Sequence, residues 1–315
     1  MSDFKDIPVL ITGASGFIGS HLARRLVREG ARVTALVQPG LPLSRLSDIV
    51  KKVQIYPVDI RDGEKLSKIV GKVAPQKIFH LAAVTDVNRS LSNFDLLFSV
   101  NLGGTLNLLK TLEDIEYDAL VCTCTAEAYG NNSPPFREEM ALDPVSPYSC
   151  SKAAGTLLCK TWANSRGKPV SILRLFLVYG PDQGRERFLP QLIRAGLTGR
   201  PLRMTAGEQK REYTYIDDII DGFLLAGKAG TPGGRVFNLG SGREISLREL
   251  VAKVAALLGR PVVRSEKILP YRKSELWRIV GDHSRAAEEL RWRAVTNLDA
   301  GLSKTIKWYQ ERLLA

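Results

Sequence analysis

A doubly wound, parallel α/β sheet followed by a smaller, mixed C-terminal lobe is the fold class this sequence predicts, and three observations carry the prediction. Short apolar runs bounded by turn residues alternate with helix-period segments through the first part of the chain. A glycine motif stands directly between the first run and the first helix, and the alternation breaks down after Pro181. Strands buried on both faces by helices read as continuous hydrophobic runs, which is the pattern seen here. With 315 residues, 44% hydrophobic and 25% charged, the chain can bury a full core and is not disordered.

Pro8 to Thr12 (PVLIT) is the first strand. GASGFIG follows, and His21 to Gly30 places Leu22, Leu26 and Val27 at helical spacing before a terminating glycine. ARVTALV, VQIYPVD and KIFHLAA read as the second, third and fourth strands, LEDIEYDALVCTCT carries a fifth, and VSILRLFLVYGP a sixth. Beyond Pro181, FLPQLIRAGLTGRP reads as a helix and REYTYIDDIIDGFLLAG as a strand entering a helix. RVFNLGSG is a short strand, and EISLRELVAKVAALLGRP an amphipathic helix closed by Gly259 and Pro261. GTPGG at 230–234 is a loop, and no internal repeat is visible.

The balance of 45 Lys+Arg against 33 Asp+Glu gives +12, which suits nucleic acid, an anionic membrane surface or small anionic ligands. The positive residues are scattered, however, and the densest groups, Lys51-Lys52 and Lys210-Arg211, lack interleaved aromatics for stacking bases. A solvated face is the simpler reading, so no nucleic acid partner is expected. The first residues lack a basic region and a long apolar stretch, and no run approaches the roughly 20 residues needed to span a bilayer. A soluble, cytoplasmic protein without a membrane partner is expected. Cys122, Cys124, Cys150 and Cys159 show no CxxC spacing; they read as small core hydrophobes, with no metal site.

Gly13, Gly16 and Gly19 form GxxGxxG between strand and helix. Such a motif allows a tight turn, close approach to a diphosphate, and a helix N-terminus whose free N–H groups favour negative charge. Asp59, in YPVDIRD, reads either as an acceptor for an adenine amino group or as an ordinary turn aspartate. At the end of the second strand, where NAD-binding folds set a carboxylate on the ribose, this chain has Val37-Gln38-Pro39. That absence admits a 2′-phosphate, with Arg45 as its partner, and tilts the expected NAD(P) cofactor towards NADP.

PVSPYSCSK sets Tyr148 and Lys152 four apart. Ser146 suits a cap and Pro147 the first helical position, so the two side chains fall on one helix face. An ammonium beside the phenol is expected to lower its pKa from near 10, making Tyr148 an acid or base near neutrality. His21 and His80 read as satisfied core residues, and His283 carries no helpful context.

Taken together, GASGFIG, HLAA at 80–83, NLGGTLNLL, CTAEAYG, SPYSCSK, LRLFLVYGP and REYTYIDD make the chain resemble the extended short-chain dehydrogenase/reductase family over nearly its whole length. This family comprises nucleotide-sugar epimerases, dehydratases and 4-keto reductases. The resemblance implies a Rossmann-like dinucleotide-binding domain over 1–180 and 214–241 and a substrate-binding lobe over 181–213 and 242–315. It implies that Thr125, Tyr148 and Lys152 are catalytic, with hydride passing between the sugar C4 and the nicotinamide. Cofactor contacts are implied at Gly13, Gly16, Phe17, Ile18 and Gly19, at Gln38, at Asp59 and Ile60, and at Leu81, Ala82 and Ala83. Substrate contacts are implied at Thr85, Thr125, Glu127, Arg211 and Arg272, the last in a segment similar to one in GDP-mannose dehydratases and GDP-4-keto-6-deoxymannose reductases, the nearest group. A homodimer through the helices of NLGGTLNLLKTL and SPYSCSKAAGTLLCKTW is also implied.

Two departures bear on the reaction. The family's 4,6-dehydratases follow the threonine with an acid and then a glutamate base; here the run is Thr125-Ala126-Glu127, so the base is present and the acid is not. Glu127 therefore reads either as a catalytic base or as a carboxylate that shapes the pocket. The family's RxxNxYGP becomes Arg174 to Pro181 with Leu177 in place of the asparagine, leaving the diphosphate to Arg211 and Arg272, unless these are surface arginines. Tyr129 matches a packing tyrosine. The expected activity is 4-keto-6-deoxy reduction or 4-epimerisation of a nucleotide-diphosphate sugar. 4,6-Dehydration is the alternative, and a non-catalytic dinucleotide- or RNA-binding role the rival from another class.

Overall fold

The computed structural model describes residues 3–86 and 91–313. Its first half alternates β1 (Pro8–Thr12), α1 (Phe17–Arg28), β2 (Arg32–Val37), β3 (Gln54–Pro57), α2 (Gly63–Val73) and β4 (Lys77–His80). A short α3 (Phe94–Leu97) runs through a π-helical segment at Phe98–Gly103 into α4 (Gly104–Thr111), ahead of β5 (Ala119–Thr125). The second half contains α5 (Pro147–Arg166), β6 (Val170–Leu175), β7 (Leu177–Tyr179), α6 (Phe188–Thr198), β8 (Lys210–Tyr215), α7 (Ile216–Ala229) and β9 (Arg235–Leu239). It closes with β10 (Glu244–Ser246), α8 (Leu247–Leu258), β11 (Arg278–Ile279), α9 (Ser284–Glu289) and α10 (Leu298–Leu313).

Among the described residues, the large sheet has seven parallel strands in the order β3-β2-β1-β4-β5-β6-β9. Its apolar strands explain the layering, because successive side chains point to opposite faces. Leu10, Ile78, Leu120 and Ile172 enter one core with Leu66 of α2, Leu108 of α4 and Cys159 of α5. Ile11, Phe79, Val121 and Leu173 enter the other, with Leu22 of α1 and Phe223 of α7. Each such fully buried side chain contributes roughly 1.5–3 kcal/mol. Cys122 and Cys124 both lie in the first of these cores, packed as small hydrophobes.

The smaller sheet is mixed: β8 pairs antiparallel with β10 and parallel with β7 and β11. Here the structure departs from the sequence reading, since VSILRLFLVYGP is two strands, β6 in the large sheet and β7 in the small one. Phe176 is the pivot. Its amide donates to the Leu239 carbonyl at 3.2 Å, and its ring is buried in a third cluster with Ala126, Tyr129, Phe136 and Leu276.

Strand order reverses beside β1, whose neighbours are β2 and β4. Open α/β sheets bind ligands outside the carboxyl ends of their strands at such a switch point. The glycine turn leaves β1 there, the HLAA segment leaves β4 there, and β5 brings Thr125 alongside.

Candidate active site

At the nucleotide end the constraints are on the backbone. Gly13 has φ +70°, and a Cβ there would lie 2.7 Å from the Ala82 nitrogen and 2.8 Å from the Leu81 carbonyl carbon, so only glycine lets the two segments touch. A Cβ on Gly19 would lie 2.3 Å from the Gly13 oxygen. Gly16 caps α1 without a side-chain hydrogen bond, which leaves the first-turn amides of Phe17 and Ile18 open to an anion. These residues fit a dinucleotide diphosphate: the cradle is closed to a methyl group and its donors are uncapped.

Other residues implied as cofactor contacts are placed less directly. Gln38 is exposed at the end of β2. Asp59 is held in a fork by Arg61, Nη2 to Oδ2 being 2.6 Å, which lowers its pKa, and Ile60 is buried under Gly104 of α4. Arg45, the candidate partner for a 2′-phosphate, donates through Nε to the Asp182 carbonyl at 3.1 Å and lies 3.6 Å from the Asp182 carboxylate.

At the chemical end, α5 opens with the expected cap. The Ser146 hydroxyl accepts from the Ser149 amide at 3.0 Å, Ser149 closes a reciprocal capping box, and Pro147 takes the first turn. Tyr148 and Lys152 follow one turn apart, and Tyr148 comes near enough to the Thr125 hydroxyl at the end of β5 for that hydroxyl to favour its ionised form. Thr125 also caps the turn Ala126–Tyr129, accepting from the Glu127 amide at 3.3 Å.

The electrostatics correct one expectation. The Tyr148 pKa is raised, not lowered: burial is the largest cause, followed by the Glu127 carboxylate and Cys124, with Arg187 and the nearby Thr125 hydroxyl opposing. Lys152 is itself depressed by burial, and its ammonium turns to the Thr123 hydroxyl at 3.3 Å. The phenol at rest is therefore a proton donor.

Around this pair the pocket is charged on both sides. Arg211 is largely buried and gives Nη2 to the Glu275 carboxylate at 2.7 Å and Nη1 to the Lys210 carbonyl at 2.8 Å. Its field and that of Glu127 reach each other. Arg272 is exposed in the turn leading to Glu275. Thr85 is bound through its carbonyl and hydroxyl by Arg187, at 3.2 and 2.8 Å.

Sequence reading missed Arg187 and Glu275. The signal for the first was a basic pair, Arg185 and Arg187, directly ahead of the α6 pattern. Tyr129, by contrast, packs as read: it is fully buried, its hydroxyl donates to Asn238 Oδ1 at 2.7 Å, and its ring lies between Phe136 and the Arg174 guanidinium. Ala126 is 2% exposed and sits in the cluster with Phe136, Phe176 and Leu276. Among the described residues no helix is long and apolar enough to cross a membrane.

A family model described as GDP-mannose 4,6 dehydratase matches residues 10–305. A UDP-glucuronate 4-epimerase of Thermodesulfobacterium geofontis is 31% identical over 96% of both chains. The UDP-glucose 4-epimerase of Thermotoga maritima, solved with UDP-glucose, superposes with a TM-score of 0.89 at 27% identity, covering 97% of this chain and 99% of that one. A dTDP-glucose 4,6-dehydratase of Streptomyces venezuelae, solved with NAD bound, gives 0.88 at 29% identity, covering 96% and 97%. The three relatives are described by UDP- or dTDP-sugars and not by GDP-mannose, so the likeness is to the wider family and not to its GDP-mannose group. The chain belongs to the extended short-chain dehydrogenase/reductase family of nucleotide-sugar epimerases and dehydratases, and it is an NAD(P)-dependent enzyme.

Proposed function

We propose that the protein is a 4-epimerase of a nucleotide-activated hexose, with Thr125, Tyr148 and Lys152 as its catalytic set. The observation that carries this reading is the proximity of the Thr125 hydroxyl at the end of β5 to the Tyr148 phenol at the start of α5, close enough to lower the phenol's pKa, which pairs a hydroxyl suited to a sugar oxygen with a phenol suited to its proton. Bound NAD supplies a hydride acceptor and donor, a capacity no side chain has. Thr125 holds the C4 oxygen, and Tyr148, once ionised to the phenolate, takes the C4 hydroxyl proton as the ketone forms and returns it from the phenol afterwards. The buried Lys152 ammonium, one helical turn away, stabilises the phenolate as it appears. Arg272, exposed at the mouth of the site, receives the diphosphate, with Arg211 held behind it by Glu275, and Arg187 with Thr85 borders the sugar.

NAD is favoured over NADP because Arg45 is engaged by Asp182, which opposes the tilt read from Gln38. A recycled NAD suits epimerisation, whereas a 4-keto reductase consumes its cofactor. Dehydration is the second reading, supported by Glu127 beside Tyr148 and opposed by the buried methyl of Ala126, which has no proton to give. Exposed Leu106 of α4 and Leu157 of α5 supply an apolar face for pairing with a second copy.

The test is incubation with UDP-glucose, UDP-glucuronate, dTDP-glucose and GDP-mannose in the presence of NAD, read by mass and by configuration at C4. Inversion without a change of mass is expected for one of them. Loss of water would replace the reading with dehydration, and gain of two hydrogens from an added 4-keto sugar and NADPH would replace it with reduction.

A further inference from the structure

We propose that His80 is a positioning residue that ties the cofactor cradle to the chamber behind Lys152 through one directed chain of hydrogen bonds. His80 ends β4 and is 2% exposed, with Nδ1 2.8 Å from Thr12 Oγ1 and Nε2 2.9 Å from Thr105 Oγ1. The Thr105 hydroxyl lies 2.6 Å from the Asn101 carbonyl, which can only accept, so the single hydroxyl proton of Thr105 goes there. Thr105 must then accept from His80, which puts the imidazole proton on Nε2. Nδ1 is left bare and accepts from Thr12. The Thr12 oxygen completes the chain by accepting the amides of Leu81 and Ala82, at 3.2 and 3.1 Å. Only one tautomer satisfies every group, and burial, which pushes the imidazole pKa down to about 3, keeps it neutral.

Both ends of the chain meet groups that matter. Leu81 and Ala82 are the segment against which Gly13 is pressed, so their position sets the width of the cradle. Asn101 lies in the π-helical segment; its amide donates to the Val84 carbonyl at 3.0 Å and to the Ser151 hydroxyl at 2.9 Å, next to Lys152. The His80 carbonyl accepts from Thr123, the hydroxyl that receives the Lys152 ammonium. His80, Asn101, Thr105, Thr123 and Lys152 line one small cavity.

The catalytic half of this inference rests on the reading of Tyr148 and Lys152 above; the cofactor half does not. Asparagine places its amide oxygen near the Nδ1 site and glutamine its amide nitrogen near the Nε2 site, so the two halves can be separated. His80→Gln, which gives up the Thr12 bond, should weaken NAD binding about tenfold with a smaller loss of turnover; His80→Asn, which gives up the Thr105 bond, should lower turnover about tenfold with a smaller loss of NAD affinity. Thr12→Val should follow the first pattern and Thr105→Val the second, and these near-isosteric variants decide the matter where a His80 variant does not fold. NAD affinity is read by calorimetry and turnover at saturating NAD and nucleotide-sugar. Equal losses in both quantities for every variant, or no loss in either, would overturn the proposal. Should the wild type turn over no nucleotide-sugar, the proposed function fails, while the NAD affinities still decide this one: equal values for the Gln and Asn variants would sink it.

Discussion

At the end of the cleft proposed for the nucleotide the groups on offer are main-chain amides, whereas at the end proposed for the sugar they are charged side chains held in opposition. Gly13, Gly16 and Gly19 act through what they lack: a Cβ at Gly13 or Gly19 would collide with backbone that cannot give way. Around Tyr148, the same burial that raises the phenol also strengthens the fields of Glu127 and Arg187, which push it in opposite directions. The difference teaches where substitutions should act. Changes at the first end should cost affinity without touching the pH dependence of the chemistry, and changes at the second should do the reverse.

The largest expected effect lies at the sugar end. Tyr148→Phe removes the proton-transfer group and should lower kcat by about 10³-fold while NAD binding stays within twofold; undiminished turnover in single-turnover assays would refute the assignment. Next comes the glycine cradle. Gly13→Ala combines a left-handed backbone with a contact to the backbone of Ala82, and about a 100-fold loss of NAD affinity is expected by titration. An affinity equal to wild type would mean that the cradle is not where the diphosphate sits.

Smaller effects sharpen the contrast. With Arg45 engaged by Asp182, NADH should bind about tenfold more tightly than NADPH, a difference of about 1.4 kcal/mol; a preference for NADPH would restore the expectation drawn from Gln38. The smallest effect is a displacement of the pH profile. A phenol whose pKa is raised delivers its base form only as pH climbs, so kcat/KM should rise towards alkaline pH. Glu127→Gln removes a raising charge and should move the rise to lower pH, whereas Arg187→Ala removes a lowering charge and should move it to higher pH. Shifts in the same direction would break the opposition.

Much of the fold is legible in the sequence. The strand runs, the glycine turn and the Ser146-Pro147 helix start are local signals, each set by backbone preferences within a few residues, and the structure places them where they were read. The division of VSILRLFLVYGP was not legible, because nothing within that run marks the point where it changes sheets. Phe176 turns there only because Leu239 and the Phe136 cluster, far away in sequence, hold it. Arg187 was missed for a related reason: an arginine ahead of a helix looks like any solvated charge until the fold brings it to Thr85.

What the sequence determined by itself was the layered α/β architecture, the glycine turn between β1 and α1, and the placing of Tyr148 and Lys152 one turn apart on a capped helix, since these depend on residue type at short spacing. The tertiary structure alone decided the protonation and pairing of those groups. Tyr148 is lifted by burial and Glu127 in place of being lowered by Lys152, Arg211 is given to Glu275, Arg45 to Asp182, and Ala126 to an apolar cluster. A charge or a proton responds to every element packed around it, and that set of neighbours is a property of the assembled fold.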